Sequence, residues 1–431
     1  MAEISPFRAL RYNPAAAPLA ELVTQPYDKI TPEMQERYYA ASPYNFVRLV
    51  LGKRQEGDDE RSNVYSRAAD SYCEWRRRGI LRSDPEPALY AYSQRFPMPG
   101  TNGERERTGF IALVRLENYE RGVICRHERT LTAPKADRLN LLRATAAQFE
   151  PLFLIYSDPQ QELTSRLRTE RPPEAEVRDE YGALHRLWKV SNREEIEFIR
   201  DWMTEKKLLI ADGHHRYETA LEYRNLMRER AGAAGGEAAS EHAMVALFPM
   251  ESGGLVILPT HRVVSGLELF RTEDLVRGAH PYFEVNAAGA QMDAPQVVAL
   301  LGAAGQEGPA IAAVTSGGVF VMRARAGAAD ALLAGVSPRQ RGLDVVLLHK
   351  VLLEHVLGVS EEAVREERHL AYLRDAAEAM ARVRAGANAT FLMNPARIEQ
   401  VRDVAFAGEV LPQKSTDFYP KLLSGLTIYA H

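Results

Sequence analysis

The sequence predicts a mixed α/β (α+β) protein of two lobes, and three observations carry that expectation. Strand-like apolar runs and amphipathic helical stretches alternate along the chain. Its 431 residues exceed what a single hydrophobic core ordinarily serves. A flexible stretch, Ala231-Gly232-Ala233-Ala234-Gly235-Gly236, interrupts the middle of the chain. The expected division is therefore a mixed α/β lobe over residues 1–230 and a second α/β lobe over 240–431.

The elements follow in order. Thr24 to Glu33 is bracketed by Pro26 and Pro32, with Thr31 as the cap of a helix opening at Pro32. Gln55 to Glu60 is a polar insert. Ala88–Phe96, Thr108–Leu116 and Gly122–Glu128 read as strands of a meander, with Pro97 to Gly103 as a hairpin loop. Pro134–Gln148 is a helix, Leu152–Tyr156 a strand and Glu176–Ser191 a hairpin. Asn192, followed by Glu194 and Glu195, caps a helix reaching Met203. Beyond residue 240, Ala243–Phe248 and Leu255–Pro259 are strands, and Gly302 to Gly308 is a connection. Gly342–Leu357 is a long apolar helix, and Ala389–Met393 is a strand before a helix from Pro395.

Composition narrows the function classes. The chain is 45% hydrophobic and 26% charged with net charge -4, the balance of a water-soluble globular protein. No apolar run approaches the roughly 20 residues a bilayer span needs, and the N-terminus has no apolar signal segment. Cys73 and Cys125 give no disulfide framework and no zinc knuckle. A cytoplasmic enzyme is the expected setting. The mildly acidic balance argues against nucleic acid as partner.

The most informative stretch runs from Lys207 to Leu221. Leu208–Ala211 reads as a short buried strand and Asp212-Gly213 as a turn. His214 opens a helix with Tyr217, Ala220, Leu221 and Leu226 on one face. A helix mouth offers unbonded N–H groups and the positive dipole end, so it binds anions. Here it carries His214, His215 and Arg216 as further donors, with Gly213 for close backbone approach. Asp212 is placed to cap the helix, accept a proton or hold a metal, and Glu218 to orient His214 from one turn away. A capped helix with an exposed polar first turn is the structural alternative; two imidazoles and a guanidinium on one turn favour the site.

Two further segments are candidates. Arg126-His127-Glu128-Arg129-Thr130 leaves a strand, and Pro134, Lys135, Asp137 and Arg138 start the next helix, another anion-facing end. Glu128 and Asp137 suit a base or a magnesium ligand, and a salt-bridged rim explains the same residues equally well. Gln413-Lys414-Ser415-Thr416 offers a cation and two hydroxyls to a phosphate, with Phe418 and Tyr419 as walls. It lacks the glycines of a Walker loop, and a loop packing its aromatics is the alternative. Asp28, the Pro259-Thr260-His261-Arg262 exit and His349 read as structural, the last as a core histidine.

The set Ser5-Pro6-Phe7-Arg8-Ala9, Gln25-Pro26-Tyr27-Asp28, Ser42-Pro43-Tyr44-Asn45, His127-Glu128, Lys135-Ala136-Asp137-Arg138, Asp212 to Tyr217 and Gln413 to Thr416 resembles the bacterial and archaeal family catalogued as domain of unknown function 1015. The resemblance covers essentially the whole chain. Members lie beside serine-biosynthesis enzymes, which implies serine or phosphoserine as a ligand. Gly213-His214-His215-Arg216-Tyr217-Glu218-Thr219-Ala220 is also similar to the phosphate-binding box of the ParB/sulfiredoxin superfamily. That likeness implies a ParB/sulfiredoxin-like N-terminal lobe holding nucleotide phosphates. The superfamily includes CTP-hydrolysing partition proteins, an ATP-dependent sulfinic-acid reductase and a free-serine kinase. The box here has no cysteine, so the reductase chemistry is not implied, and no helix-turn-helix follows it.

The expectation is an enzyme of kinase or phosphatase type that transfers or hydrolyses a phosphoryl group on serine, phosphoserine or a similar metabolite. Asp212, His214, His215 and Glu128 are the catalytic candidates. Gly213, Arg216, Lys414, Ser415, Thr416, Lys135 and Arg138 are the phosphate ligands. Mg²⁺ on Asp212, Glu128 and Asp137, and ATP, ADP or CTP, are the candidate cofactors. A homodimer is compatible with the sequence. The rival reading is a non-catalytic or CTPase-type nucleotide switch.

Overall fold

A long hairpin, Leu89–Pro97 against Glu104–Arg115, forms the centre of the sheet in the first of two units of the computed structural model. The structure describes residues 1–128, 132–231, 238–289 and 292–431. Arg129-Thr130 and the glycines of 232–236 lie outside the described residues. One unit comprises Met1–Arg126, Thr130–Val256 and Pro420–His431; the other comprises His127–Arg129 and Ile257–Tyr419. Each is a mixture of strands and helices, so the protein is of the mixed α/β class.

The first unit's sheet has nine strands. Across it run Ile124–Cys125, Leu208–Asp212, Leu152–Tyr156, His242–Pro249, Glu104–Arg115, Leu89–Pro97, Leu184–Val190 and Ala175–Arg178, and Ile4–Ser5 adds to Glu104–Arg115. Leu152–Tyr156 is parallel to His242–Pro249 and antiparallel to Leu208–Asp212. Both Leu152–Tyr156 and His242–Pro249 are buried along their whole length, which is why their sequences are continuous apolar runs rather than alternating ones. The helix Arg193–Met203 buries Ile196, Ile199 and Met203 against this core, capped by Asn192 accepting from Glu195 N. Thr132–Thr145 packs on His214–Ala231 through Leu139, Leu142 and Tyr223. The last segment is woven into the same unit: Ile428 bridges Leu10, Ser424 bridges Thr24, and Tyr429 pairs with Gln148.

The second unit has a six-stranded antiparallel sheet, ordered Phe283–Ala287, Gly318–Ala324, Ala310–Thr315, Ala389–Met393, His261–Val264, Leu370–Leu373. Helices Ala294–Glu307 and Ala376–Arg384 bring Val297, Leu301, Ala379 and Met380 to a core with Val263, Ala312 and Leu392. Among the described residues no helix is long and apolar enough to cross a membrane.

Four elements differ from the sequence expectation. Gly302 to Gly308, expected as a connection, is the C-terminal end of the helix Ala294–Glu307 with Gly308 as its cap. The strand expected over Gly122–Glu128 shortens to Ile124–Cys125, with Glu128 making an isolated bridge to Leu411. The helix expected over Gly342–Leu357 is one α turn, Asp344–Leu347, followed by the π-helix Leu348–Val356. Its consecutive buried residues Val351, Leu352 and Leu353 leave no 3.6-residue stripe to set the period. The helix expected from Pro395 begins at Ile398, because residues 394–397 stay out of the helix around the proline.

One glycine shows how tightly the large sheet is closed. A Cβ on Gly109 would lie 2.0 Å from the Leu247 carbonyl oxygen and 2.7 Å from Phe248 Cδ1. Gly109→Ala is expected to destabilise the protein by about 2 kcal/mol or more through forced backbone displacement. A urea unfolding midpoint equal to that of the parent protein would contradict this account of the packing.

Candidate functional site

The Leu208–Asp212 strand buries Leu208 to Ala211 and leaves only Asp212 partly exposed at its end. Its register against Leu152–Tyr156 shifts between Ile210 and Asp212, a bulge that re-aims the aspartate. Gly213 follows at φ 97°, and its carbonyl accepts from Tyr217 N at 2.9 Å in the helix His214–Ala231. A Cβ here would sit 2.9 Å from Leu152 Cδ2 and 3.1 Å from Arg216 Nη2, so the turn needs glycine for both conformation and space.

Asp212 binds two cations. Oδ2 accepts from Arg216 Nη2 at 2.9 Å, and Oδ1 from Lys421 Nζ at 2.7 Å. The three side chains are 21%, 13% and 8% exposed, respectively. Burial pushes the Asp212 carboxyl up, but Lys421, Arg216 and Lys29 overcome it and hold the group well below the usual carboxylate range. Arg216 Nη1 also donates to the Pro151 carbonyl at 2.8 Å. Burial opposes its charge, yet Glu150, Asp212 and Asp28 keep that charge firmly in place.

The position of Lys421 is set deep in the core. Gln94 Nε2 donates to the Lys421 carbonyl at 2.9 Å, and Arg107 Nη2 to the Pro420 carbonyl at 2.5 Å. Arg107 is 1% exposed, lies between the rings of Phe153 (4.5 Å) and Phe248 (4.8 Å), and is pushed down to about 9 by burial. Glu150 makes a second tie: Oε1 accepts from Tyr27 N at 3.0 Å and Ser424 Oγ at 2.8 Å. A cavity of about 60 Å³ adjoins Arg216, Glu150, Arg138 and Thr219, room for water-sized guests.

The other sequence candidates fall into two sets. In the first unit His214 is buried and His215 is partly exposed on the first helical turn. Glu218 accepts from Arg126 at 3.1 Å and Lys135 at 3.0 Å. Arg138 pairs with Asp137 at 2.5 Å, donates to the Val50 carbonyl at 2.9 Å and covers the Tyr27 ring at 3.9 Å. The ends expected to face an anion at Lys135 and Arg138 are thus engaged by the protein's own carboxylates. Asp137 also accepts from Tyr65 at 2.7 Å.

In the second unit, Glu128 Oε1 accepts from Lys414 N at 3.0 Å, and His127 Nε2 meets Thr416 Oγ1 at 2.7 Å. Ser415 Oγ donates to the Pro412 carbonyl at 2.5 Å, and Lys414 sits at φ 56°. Gln413 to Thr416 is therefore bound to His127-Glu128 within that unit.

Two expected roles change. Asp212 held so far below its usual range is a poor proton acceptor; its work is to fix two cations. Arg216 is likewise no open fork, since its carboxylate partner is Asp212. The Mg²⁺ ligand set also does not assemble: Asp212 is bonded to two cations, Asp137 to Arg138 and Tyr65, and Glu128 to an amide. Among the described residues no group of three His, Cys, Asp or Glu is placed to hold a metal. Lys421, Glu150 and Lys29 were not foreseen. Lys421 follows the Phe418-Tyr419-Pro420 run, where a lysine next to a proline in an apolar tail was the available signal.

The fold and this buried charge cluster define a mixed α/β protein with a built polar site at a helix mouth. The chain belongs to the family described as protein of unknown function (DUF1015), whose model matches residues 4–346. Among solved structures it is similar to a mutant of free serine kinase in complex with ADP, at 14% identity and TM-score 0.37, covering 73% of this chain and 92% of that one. It is also similar to a conserved hypothetical protein from Pyrococcus furiosus, at 14% identity and TM-score 0.36, covering 74% and 94%. A third is SbnI with C-terminal truncation from Staphylococcus aureus, at 11% identity and TM-score 0.35, covering 74% and 87%. No curated protein matches the chain.

The cluster has a measurable energy. A double-mutant cycle of Asp212→Asn and Lys421→Met is expected to give a coupling of roughly 1–3 kcal/mol. Because the Asp212 pKa is depressed in the folded state, its contribution is present above the ordinary value of 3.8 and lost as pH falls through the lower folded value. The stability gap between parent and Asp212→Asn should therefore hold from pH 7 to 5 and close only in stronger acid. A gap that closes near pH 6 would point to a histidine instead.

Proposed function

We propose that the protein is a phosphotransferase for a small hydroxyl-bearing metabolite, serine first among them, drawing the phosphoryl group from a nucleotide. The observation that carries this reading is the pair of cations, Arg216 and Lys421, held on the two oxygens of Asp212 at the mouth of the 18-residue helix after Gly213. Two cations on one carboxylate give that trio a net positive charge, which Lys29 adds to and Glu150 and Asp28 partly offset, and the helix dipole favours an anion at the same mouth. A phosphoryl group in transfer spreads negative charge over its equatorial oxygens, so fixed donors of this kind stabilise the transition state. The similarity of Gly213 to Ala220 to a phosphate-binding box supports the same assignment.

In this reading the backbone of the Gly213 turn receives the phosphoryl oxygens, and Arg216 and Lys421, each fixed on Asp212, attract them through their charge. The substrate hydroxyl attacks phosphorus, the bond from phosphorus to the leaving oxygen breaks, and the nucleotide departs one phosphate shorter. His215, partly exposed on the first turn, takes the hydroxyl proton; Asp212, firmly ionised, holds its charge throughout. The same cradle running on phosphoserine with water as acceptor is hydrolysis, the phosphatase form of the reaction.

The test is direct. The full-length protein is incubated with serine and ATP, ADP or CTP, and phosphoserine is followed by mass spectrometry; phosphoserine alone is assayed for phosphate release. Lys421→Met and His215→Ala are each expected to lower the rate about a hundredfold. Saturable nucleotide binding with no product in any combination would overturn the enzymatic reading in favour of a nucleotide-gated switch.

A further inference from the structure

The second unit contains a cavity of about 550 Å³, within the range that holds small metabolites. Among the described residues, neither Arg262 nor Asp344 on its wall forms an ion pair, and Arg397 lines the same cavity. Arg262 is 2% exposed and gives its terminal donors to the carbonyls of Thr260 and Lys414, while its Nε has no acceptor among the described residues. The orphaned Nε on a cavity wall leaves this buried guanidinium a donor for an anionic ligand. Burial pushes Arg262 down to about 10, opposed by Tyr372, whose ring lies 5.5 Å from the guanidinium, and by Glu128.

Asp344 presents the opposite case in the same cavity. It opens the α turn before the π-helix, and its Oδ1 accepts from Ala310 N at only 3.3 Å. No Lys, Arg or His among the described residues forms an ion pair with it, and burial raises it to about 6 despite the Ala310 amide, Asn394 and the charge of Arg397 on the same wall. Asn394, bonded to Asp344, is anchored to the Leu301 carbonyl at 3.3 Å. A Cβ on Gly305 would meet Asn394 at 2.5 Å, so that glycine makes room for the amide. Leu343 and Met393 supply apolar wall.

The geometry points to a binding site for a free α-amino acid in the second unit, its carboxylate taken by Arg262 and its ammonium by Asp344. Phosphate alone would leave Asp344 unmatched and most of the volume empty; a simple cation would leave Arg262 unmatched. A zwitterion answers both, and the remaining volume accepts a side chain. The residues of this site belong to the second unit, and the assignment is argued independently of the phosphotransfer proposal.

The full-length protein is titrated with the L-amino acids by thermal shift and calorimetry, each binder being compared with its N-acetyl and α-amide analogues. At least one amino acid is expected to bind saturably, and each analogue to lose about tenfold or more, the scale of one charge-assisted contact. Asp344→Asn should weaken binding by a similar factor, whereas Lys421→Met should leave it unchanged. Since Arg262→Gln alters a fully buried side chain, Asp344→Asn and the analogues carry the test. Absence of any amino-acid binding, equal binding of the acetylated analogue, or loss in Lys421→Met with none in Asp344→Asn would each overturn the assignment.

Discussion

The carboxylate of Asp212 is the constraint around which the first unit's polar site is arranged. One oxygen holds Arg216 on the helix that follows it, and the other holds Lys421 from a segment 209 residues away. Loss of that partner costs both cations, because a buried charge without its counter-ion is destabilising while the intact pair roughly balances its own desolvation; Glu150 and Asp28 still support the charge of Arg216. The bulge at the strand end and the left-handed glycine that follows are the backbone conditions for reaching both. Local strain and remote pairing thus meet at one residue.

Behind Lys421 lies a second polar layer that the sheet encloses. Arg107 and Gln94 grip the backbone of Pro420 and Lys421, and Gln94 also approaches His185 Nδ1 at 3.3 Å. His185 is fully buried between Tyr92 at 2.6 Å and Asp179 at 3.2 Å; burial lowers its pKa, and Asp179 only partly offsets that. Such a network is costly to desolvate and specifies one arrangement of its members. Here it fixes where the C-terminal segment enters the core, and with it the lysine.

The two units handle buried charge differently. In the first, the Asp212 carboxylate meets Arg216 and Lys421 directly. In the second, Arg262 and Asp344 line one cavity and neither forms an ion pair among the described residues. The contrast is physical: a satisfied cluster is a preorganised device, whereas unmatched charges on a cavity wall ask for a ligand that completes them.

Much of the scaffold was legible in the chain. Leu152–Tyr156 and Ala389–Met393 appear with the expected bounds, and the caps at Thr31 and Asn192 accept from the backbone as their positions imply. These features are local, set by apolar run length, side-chain oxygens at helix starts and a glycine between strand and helix. The Asp212-Gly213 turn was readable for the same reason. Sequence alone did not decide the partner of Asp212, since contact across 209 positions depends on how strands order in a sheet. Nor did it decide that Arg138 and Lys135 would face carboxylates of their own unit. Residue types fix what chemistry a side chain is capable of; burial and the identity of its neighbour fix which part of that capacity is used, and only folding supplies those two.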